Sequence, residues 1–366
     1  MTRLARHPVF SSYQWPRPSW RCRVDVLEPG LRPFRHVRRI VEAADRYRVL
    51  VLDGFDRADL VAAAIVARRR RPPTVLVLDP TWKSGDSLAE RAATRAGVRF
   101  IDGAHVTYAV LSTFEVGSFP TTWGVAPDRV TFIPWHFDLA DDELAQPVSV
   151  EGGFVAGGDS LRDYPTLLRA ARAAPAPVTI ATRATPKDAP IPPNVSVRPA
   201  ERSRYDELLR SATAVVLPLQ VRRDRSSGQG TLLNAMAHGK TVIVNDAPGV
   251  RDYVEDRRTA IVVRSGDADG LSAAMHWVLA HPNEAAEMGA RARADVLERF
   301  SPERYVERVL AAVDVLLDGA LVPGLAPAPP ARHRTRARDN RLVNRRPPLD
   351  AFPLPALGAP VRTRRG

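Results

Sequence analysis

A glycine-rich loop that leads directly into a helix is the segment of this sequence best suited to bind an anion. Residues 226–230 read SSGQG, and the apolar positions that follow recur at helical spacing. The first N–H groups of a helix have no partner within it and carry a partial positive charge, which suits a phosphate or a hydroxyl-rich ligand. Gly239 stands where a left-handed C-cap is needed, and the apolar strand TVIVN follows.

Carboxylates that follow apolar runs in the first third of the chain are candidates for proton transfer. Asp79 and Asp86 come after the run TVLVLD (74–79), and Glu115 comes just after the run 106–112. In a parallel sheet such positions meet at one edge, where Asp79 or Asp86 could act as a general base on a hydroxyl. An aspartate that caps a helix or turn is the commoner role, and a glutamate in the first turn of a helix needs no function.

Composition and charge narrow the alternatives. Cys22 is the only cysteine, so this chain alone can form neither a disulfide nor a cysteine-based metal site, and the histidines show no metal-like spacing. We predict no metal. The formal net charge is +12, but residues 323–366 hold ten arginines and two aspartates, which leaves only +4 for residues 1–322. Nucleic acid is therefore not an expected partner. The absence of a long apolar run favours a cytoplasmic protein.

The remaining pattern predicts two α/β domains and a tail. Short runs rich in Val, Leu and Ile alternate with helical stretches, as in parallel βαβ units. In residues 1–145 the predicted strands are 48–54, 74–79, 98–102, 106–112 and 130–135. An acidic stretch, 138–153, is the predicted linker to a second series that fills residues 146–300. Residues 301–322 are predicted as a closing helix, and the proline- and arginine-rich residues 323–366 as a disordered tail.

The order of motifs in the second series resembles the nucleotide-binding domain of GT-B glycosyltransferases of the retaining, group 1 (family 4-like) type. The resemblance lies in the glycine-rich turn, a helix reading LLxAMAxGK, the loop PGxxDYV, the stretch TAIVVRSGDADGLSAAM and the closing ERFSPERY. The segment FVAGGDSLRDYPTLLRAA (154–172) is similar to the first strand, loop and helix of the same domain. The similarity covers roughly residues 152–318. It implies two Rossmann-like domains that face each other across a cleft.

The resemblance also implies roles for individual residues. Arg162 stands where the family has a basic residue on the donor diphosphate, and Gly158 stands where it often has a second one. A second cation must then come from elsewhere, and Arg183 is one candidate. By the same alignment the phosphate and sugar would lie against Ser227, Gly228, Gln229, Gly230 and Thr231.

Two glutamates that typical members carry eight positions apart are replaced here. Ser226 occupies the place that faces the donor sugar and is our candidate there for a catalytic role. Asn234 occupies the place that binds the ribose hydroxyls, which an amide can still do. Neither side chain can supply the negative charge of a carboxylate.

The first domain would bind the acceptor. It has no clear glycine-rich loop near the start of the chain, and its first confident strand is predicted only near residue 48, so we predict an abbreviated domain. Trp82 could stack on a sugar ring, and Lys83, Asp86 and Glu115 could also face the acceptor.

The resemblance implies transfer of a sugar from a nucleotide diphosphate sugar to a hydroxyl of a glycan, a lipid-linked acceptor or a small molecule. No cofactor is expected, and retention of configuration is implied by the family alone. Arginines of the tail could bring the protein to an anionic membrane surface. Two alternatives remain open, namely a catalytically inactive protein of this fold that binds a nucleotide or glycan, and a sugar-nucleotide epimerase.

Overall fold

The computed structural model describes residues 8–15, 18–146, 152–184, 190–320 and 322. These residues form two parallel sheets of six strands, each covered by helices. The predicted tail lies outside the described residues, as does part of the predicted linker, residues 147–151. Within the described part of the chain, none of the helices has the length and apolar character that a bilayer span requires.

The first sheet has the strand order β2-β1-β3-β4-β5-β6, with every pairing parallel. Its strands are β1 Val9–Ser11, β2 Asp25–Val26, β3 Val49–Asp53, β4 Thr74–Leu78, β5 Val106–Val110 and β6 Val130–Phe132. The helices of this half are α1 Pro18–Arg21, α2 Pro33–Ala43, α3 Arg57–Val66, α4 Leu88–Val98, α5 Thr113–Trp123 and α6 Asp141–Ala145. Strands β3, β4 and β5 are almost entirely buried, which explains their uninterrupted apolar runs.

Two sequence predictions for this half are wrong. The first strand does not begin near residue 48, because β1 and β2 precede it in the sheet. These strands are three and two residues long, too short to give an apolar pattern. Residues 98–102 are not a strand. Ser87 and Glu90 form a capping box that starts α4, and the helix continues to Val98.

The second sheet has the strand order β12-β11-β10-β7-β8-β9, again all parallel. Its strands are β7 Phe154–Gly157, β8 Val178–Ala181, β9 Val195–Arg198, β10 Ala214–Leu217, β11 Thr241–Asn245 and β12 Ile261–Val263. Its helices are α7 Tyr164–Ala171, α8 Arg202–Ser211, α9 Gln229–Ala237, α10 Ala268–Ala280 and α11 Pro282–Arg299. This order reverses between β7 and β10, and in such sheets ligands bind outside the strand ends at that point.

The last helix, α12 Pro302–Leu317, packs against the first sheet rather than the second. Its apolar stripe, with Val306, Val309 and Val313, is buried against Val49 and Val51 of β3. The chain thus returns to its first half after completing the second sheet.

Polar contacts also join the two halves. The Tyr253 hydroxyl donates to the Leu111 carbonyl at 2.6 Å and accepts from the Trp135 N–H at 3.0 Å. The Thr113 hydroxyl donates to the Asp252 carboxylate at 2.7 Å. These bonds hold the carboxyl ends of the two sheets in contact.

Candidate functional site

A cavity of about 390 Å³ lies where the carboxyl ends of the two sheets meet. From the first half it is lined by residues that follow β3, β4, β5 and β6, which are Phe55, Asp79, Thr81, Leu111 and Trp135. From the second half it is lined by Asp159, Ser160, Arg162 and residues 225–231. Both halves therefore contribute to one cleft, in the place where parallel α/β sheets bind ligands.

The glycine-rich loop forms one wall of this cleft. Gly228 has a φ of +89° and directly precedes α9, and a Cβ at this position would lie 2.6 Å from Leu219 Cδ2. Only glycine fits this backbone without strain. Ser227, Gly228, Gln229, Gly230 and Thr231 all line the cavity. The N-terminus of α9, with its unpaired N–H groups, thus opens toward the cleft.

Arg162 is held at the same wall by neutral acceptors. Its Nε donates to the Gly157 carbonyl at 2.9 Å, and Nη2 donates to Thr231 Oγ1 at 3.3 Å. Gly158, with a φ of +111°, leaves room for the guanidinium, because a Cβ there would lie 2.6 Å from Nη2. Burial lowers the pKa of Arg162. Among the described residues no carboxylate forms an ion pair with it, so its charge is available to a ligand.

Arg225 is a second guanidinium in this cleft, and our sequence analysis missed it. It donates to the Thr81 carbonyl of the first half and to Ser160 Oγ of the second, the latter at 3.2 Å. Its Nε is buried and has no hydrogen-bond partner within the described ranges. Burial lowers its pKa, which nearby Glu115, Asp224 and Asp79 partly oppose. The signal in the sequence is an arginine immediately before the loop SSGQG.

Asp79 lies across the cleft from the glycine-rich loop, directly after β4. Its φ is +50°, which is strained for a residue other than glycine, and its Oδ1 is buried without a partner among the described residues. Burial raises the pKa of Asp79 well above its usual range, and the nearby carboxylates Asp53 and Glu115 raise it further. Strain together with a raised pKa in a cleft is the pattern of a functional carboxyl group.

The other acceptor-side candidates lie away from this cavity. The Trp82 ring packs on Tyr108, Phe119 and Trp123, and its Nε1 donates to the Gly54 carbonyl at 2.6 Å. Trp82 and Lys83 line a separate apolar groove on the first half. Asp86 is exposed and lies 3.3 Å from Arg222 Nη1. The structure thus brings only Asp79, of the candidates after β4, into the cleft.

The remaining candidates fall into two groups. Ser226 lines the cleft, and Glu115 lies buried behind it, accepting a hydrogen bond from the Ser226 hydroxyl at 2.6 Å. Asn234 is buried on α9, where its Oδ1 accepts from the Asp138 N–H at 2.8 Å, and Arg183 is exposed beyond β8. Neither Asn234 nor Arg183 lines the cavity.

One group of possible metal ligands occurs among the described residues, away from the cleft lining. His36, Asp56 and Asp59 offer atoms within 4.8 Å of one another. Asp56 caps α3, and Asp59 accepts hydrogen bonds from Ser12 Oγ and the Asp53 N–H. These bonds tie β1 and β3 to α3, a structural role. That the protein uses no metal stays a prediction from the sequence.

Part of the chain matches a known protein family. Residues 159–281 match the family Glycosyl transferases group 1. The trehalose synthase of Thermococcus litoralis is 22% identical over 309 residues, covering 83% of this chain and 66% of that protein. The trehalose synthase of Pyrococcus horikoshii is 31% identical over 109 residues, which cover 30% of this chain and 25% of that protein. The chain therefore spans about two thirds of the length of the Thermococcus litoralis protein.

Solved structures share the architecture at low sequence identity. Anabaena Alr3699/HepE in complex with UDP-glucose superposes with a TM-score of 0.60 at 13% identity, covering 84% of this chain and 98% of that one. A glycosyltransferase from Rickettsia africae gives a TM-score of 0.59 at 11% identity, with 81% and 86% covered. The sucrose-phosphate synthase of Thermosynechococcus elongatus gives 0.58 at 16% identity, with 81% and 82% covered.

Two Rossmann-like sheets that face each other across a cleft at their carboxyl ends are the GT-B architecture, and the predicted fold is confirmed. The segment that matches Glycosyl transferases group 1 lies within the second half of the chain.

Proposed function

We propose that this protein transfers a sugar from a nucleotide diphosphate sugar to a hydroxyl group of an acceptor. One observation carries the proposal. Two guanidinium groups, Arg162 and Arg225, form no ion pair with a carboxylate among the described residues and share a cleft with the open N-terminus of α9. A diphosphate carries the charge and the oxygen acceptors that this combination binds.

The two arginines converge on one residue of the cleft wall. Arg162 Nη1 donates to the Ser160 carbonyl at 2.7 Å, and Arg225 Nη2 donates to Ser160 Oγ at 3.2 Å. Each is thereby positioned by neutral groups that consume little of its charge. The family resemblance implies a second basic residue at the position of Gly158, which cannot supply one. In this proposal Arg225 provides that second positive charge. Because the arginines and the helix N-terminus neutralise the leaving diphosphate, we expect transfer without an added divalent cation.

The first half of the chain would bind the acceptor. Asp79 is our general base, since burial raises its pKa above the usual aspartate range and its Oδ1 has no hydrogen-bond partner among the described residues. Phe55 is 74% exposed at the rim of the same cavity and offers an apolar face for a sugar ring. Contact between the two halves would exclude water from the reactive donor.

The names of similar proteins support a nucleotide sugar as donor. Anabaena Alr3699/HepE is described in complexes with UDP and with UDP-glucose. The pneumococcal O-GlcNAc transferase GtfA, at a TM-score of 0.51, is described in complex with UDP and GlcNAc. Retention of the anomeric configuration, which only the resemblance of the sequence implies, is part of the proposal.

Thermal-shift screening of nucleotide diphosphate sugars tests the donor site, because a ligand that binds only the native state raises its apparent stability. We expect at least one nucleotide sugar to raise the melting temperature of the wild type and not of Arg162→Ala. Arg183→Ala is the matched control and should respond like the wild type. If no nucleotide sugar stabilises the protein, or if Arg162→Ala responds fully, the donor site is wrong.

A non-catalytic nucleotide-binding protein is the second candidate. Its support is the polar replacement of the glutamate pair, since Ser226 carries no charge and Asn234 is engaged with Asp138 outside the cavity. Such a protein would shift in the thermal assay but would release no diphosphate with any acceptor. An epimerase would convert the nucleotide sugar in the absence of an acceptor.

A further inference from the structure

Ser226 sits in the middle of a hydrogen-bond chain that crosses from one half of the protein to the other. Gln229 Nε2 lies 2.6 Å from Ser226 Oγ, which lies 2.6 Å from Glu115 Oε2. Ser112 Oγ donates to the same carboxylate oxygen at 2.7 Å. Glu115 belongs to α5 of the first half, whereas Ser226 and Gln229 line the cleft from the second half.

The Ser226 hydroxyl can donate its proton to only one partner in this series of hydrogen bonds. An amide nitrogen can only donate and an ionised carboxylate can only accept, so Ser226 accepts from Gln229 and donates to Glu115. A serine hydroxyl has one proton and two lone pairs. One lone pair therefore remains for the cleft, and no proton does. Toward a ligand, Ser226 behaves as a pure acceptor, as a carboxylate in its place would.

The surroundings of Glu115 support its ionised form. Glu115 is 4% exposed, and burial is the largest influence on its pKa, which on balance is raised above the usual glutamate value. Hydrogen bonds from the hydroxyls of Ser226 and Ser112, and from the backbone of Ser226, lower the pKa, as does the charge of Arg225. These donors and the charge of Arg225 stabilise the ionised carboxylate against the effect of burial.

We propose that Glu115 is a positioning residue that holds Ser226 as a hydrogen-bond acceptor for one hydroxyl of the donor sugar. This inference rests on the proposed function, because the arginines would place the diphosphate and leave the sugar hydroxyls beside Ser226. Ser226 itself carries no negative charge. The Glu115 carboxylate of the first half supplies that charge directly behind the Ser226 hydroxyl. Since the two residues belong to different halves of the protein, Ser226 is in this state only while the halves are in contact.

Glu115→Gln should change Ser226 from a hydrogen-bond acceptor to a donor toward the ligand, with almost no change in the volume of side chain 115. The new amide can donate to Ser226 Oγ, which frees the serine proton to point into the cleft. Ser226 would then donate to the ligand instead of accepting from it. A variant that merely loosened the structure would weaken the binding of all nucleotide sugars alike. A change in the relative affinities of matched nucleotide sugars therefore distinguishes a changed hydrogen bond at Ser226 from a loosened structure.

The experiment compares the best donor with its monodeoxyfluoro analogues, because fluorine replaces a hydroxyl but cannot donate a hydrogen bond. In the wild type we expect one analogue to bind about tenfold more weakly than the parent. In Glu115→Gln and in Ser226→Ala this penalty should fall to within about twofold, since neither variant presents an acceptor-only oxygen. Thr113→Val is the matched control, because it removes one hydrogen bond between the halves, to Asp252, and leaves Ser226 unchanged. It should keep the full penalty.

The outcomes separate this proposal from the proposed function. If Glu115→Gln shows the same loss of affinity as the wild type when that hydroxyl is replaced by fluorine, Glu115 does not make Ser226 an acceptor. If the wild type shows no penalty with any analogue, or Ser226→Ala retains it, Ser226 does not accept from the sugar. Both results leave binding of the nucleoside diphosphate intact. If the nucleoside diphosphate itself fails to bind the wild type, the proposed function is wrong and this inference is wrong with it.

Discussion

Replacement of Arg225 by methionine tests the diphosphate site most sharply. The substitution removes the guanidinium and keeps most of the apolar stem. The hydrogen bonds of Arg225 to Thr81 and Ser160 exist before the ligand binds, so their loss changes stability more than affinity. What binding loses is a charge-assisted contact to phosphate, which contributes about 1.5–3 kcal/mol. At about 1.4 kcal/mol per tenfold, the Kd for the nucleoside diphosphate should rise roughly 10- to 150-fold.

Isothermal titration calorimetry with the nucleoside diphosphate of the best donor measures this effect. Arg183→Met is the matched control, because Arg183 is exposed and does not line the cavity, and its Kd should stay within about twofold of the wild type. The affinity of the wild type should also fall more steeply with added salt than that of Arg225→Met. A Kd for Arg225→Met within twofold of the wild type would refute the assignment of Arg225 to the diphosphate.

Three further predictions follow from single residues. Asp79→Asn should lower kcat by about 10²- to 10⁴-fold with little change in donor affinity, because a neutral amide cannot accept the proton of the acceptor. Since burial raises the pKa of Asp79, the base form accumulates only above the usual aspartate range, and wild-type kcat/KM should rise with pH through that shifted pKa. The same shift means that the folded state holds this proton more tightly than the unfolded one, so Asp79→Asn should melt higher than the wild type once the pH exceeds the folded pKa. Gly158→Ala should weaken diphosphate binding in calorimetry about as much as Arg162→Ala does, because its Cβ would lie 2.6 Å from the Arg162 guanidinium; unchanged affinity would mean that Arg162 does not bind from this position. Tyr253→Phe should lower the free energy of unfolding by about 1–3 kcal/mol in urea titrations, because it leaves the two buried backbone partners of the hydroxyl unpaired; a loss below about 0.5 kcal/mol would show that this contact is unimportant.

The sequence predicted the second half of the fold better than the first because the information there is local. The glycine-rich loop, α9 and β11 follow one another within 20 residues, and each has its own pattern of glycine, helical spacing or buried apolar run. In the first half β1 and β2 have too few residues for a pattern to form. The run 98–102 has strand-like composition, but the capping box at Ser87 starts a helix that extends to Val98.

The candidate site was predictable only where its residues lie in one motif. Ser227–Thr231 and Arg162 belong to segments with a recognisable order, and the structure brings them to one cleft. Glu115 and Ser226 are 111 residues apart and meet only because two sheets face each other, which no local pattern encodes. Trp82 illustrates the reverse case. A tryptophan after a strand end is compatible with ligand stacking, but here the ring is partly buried against neighbouring aromatic rings and lies outside the cleft.

Release of nucleoside diphosphate coupled to acceptor glycosylation tests the central claim most directly. The wild type is incubated with nucleotide diphosphate sugars that stabilise it and with a panel of hydroxyl acceptors, and both products are followed by mass spectrometry. We predict equal amounts of nucleoside diphosphate and glycosylated acceptor, with the anomeric configuration of the donor retained in the product by NMR, and loss of both products in Arg162→Ala. Stable binding of the donor with no diphosphate released in the presence of any acceptor would contradict a transferase and leave a protein that binds nucleotide sugars without turning them over.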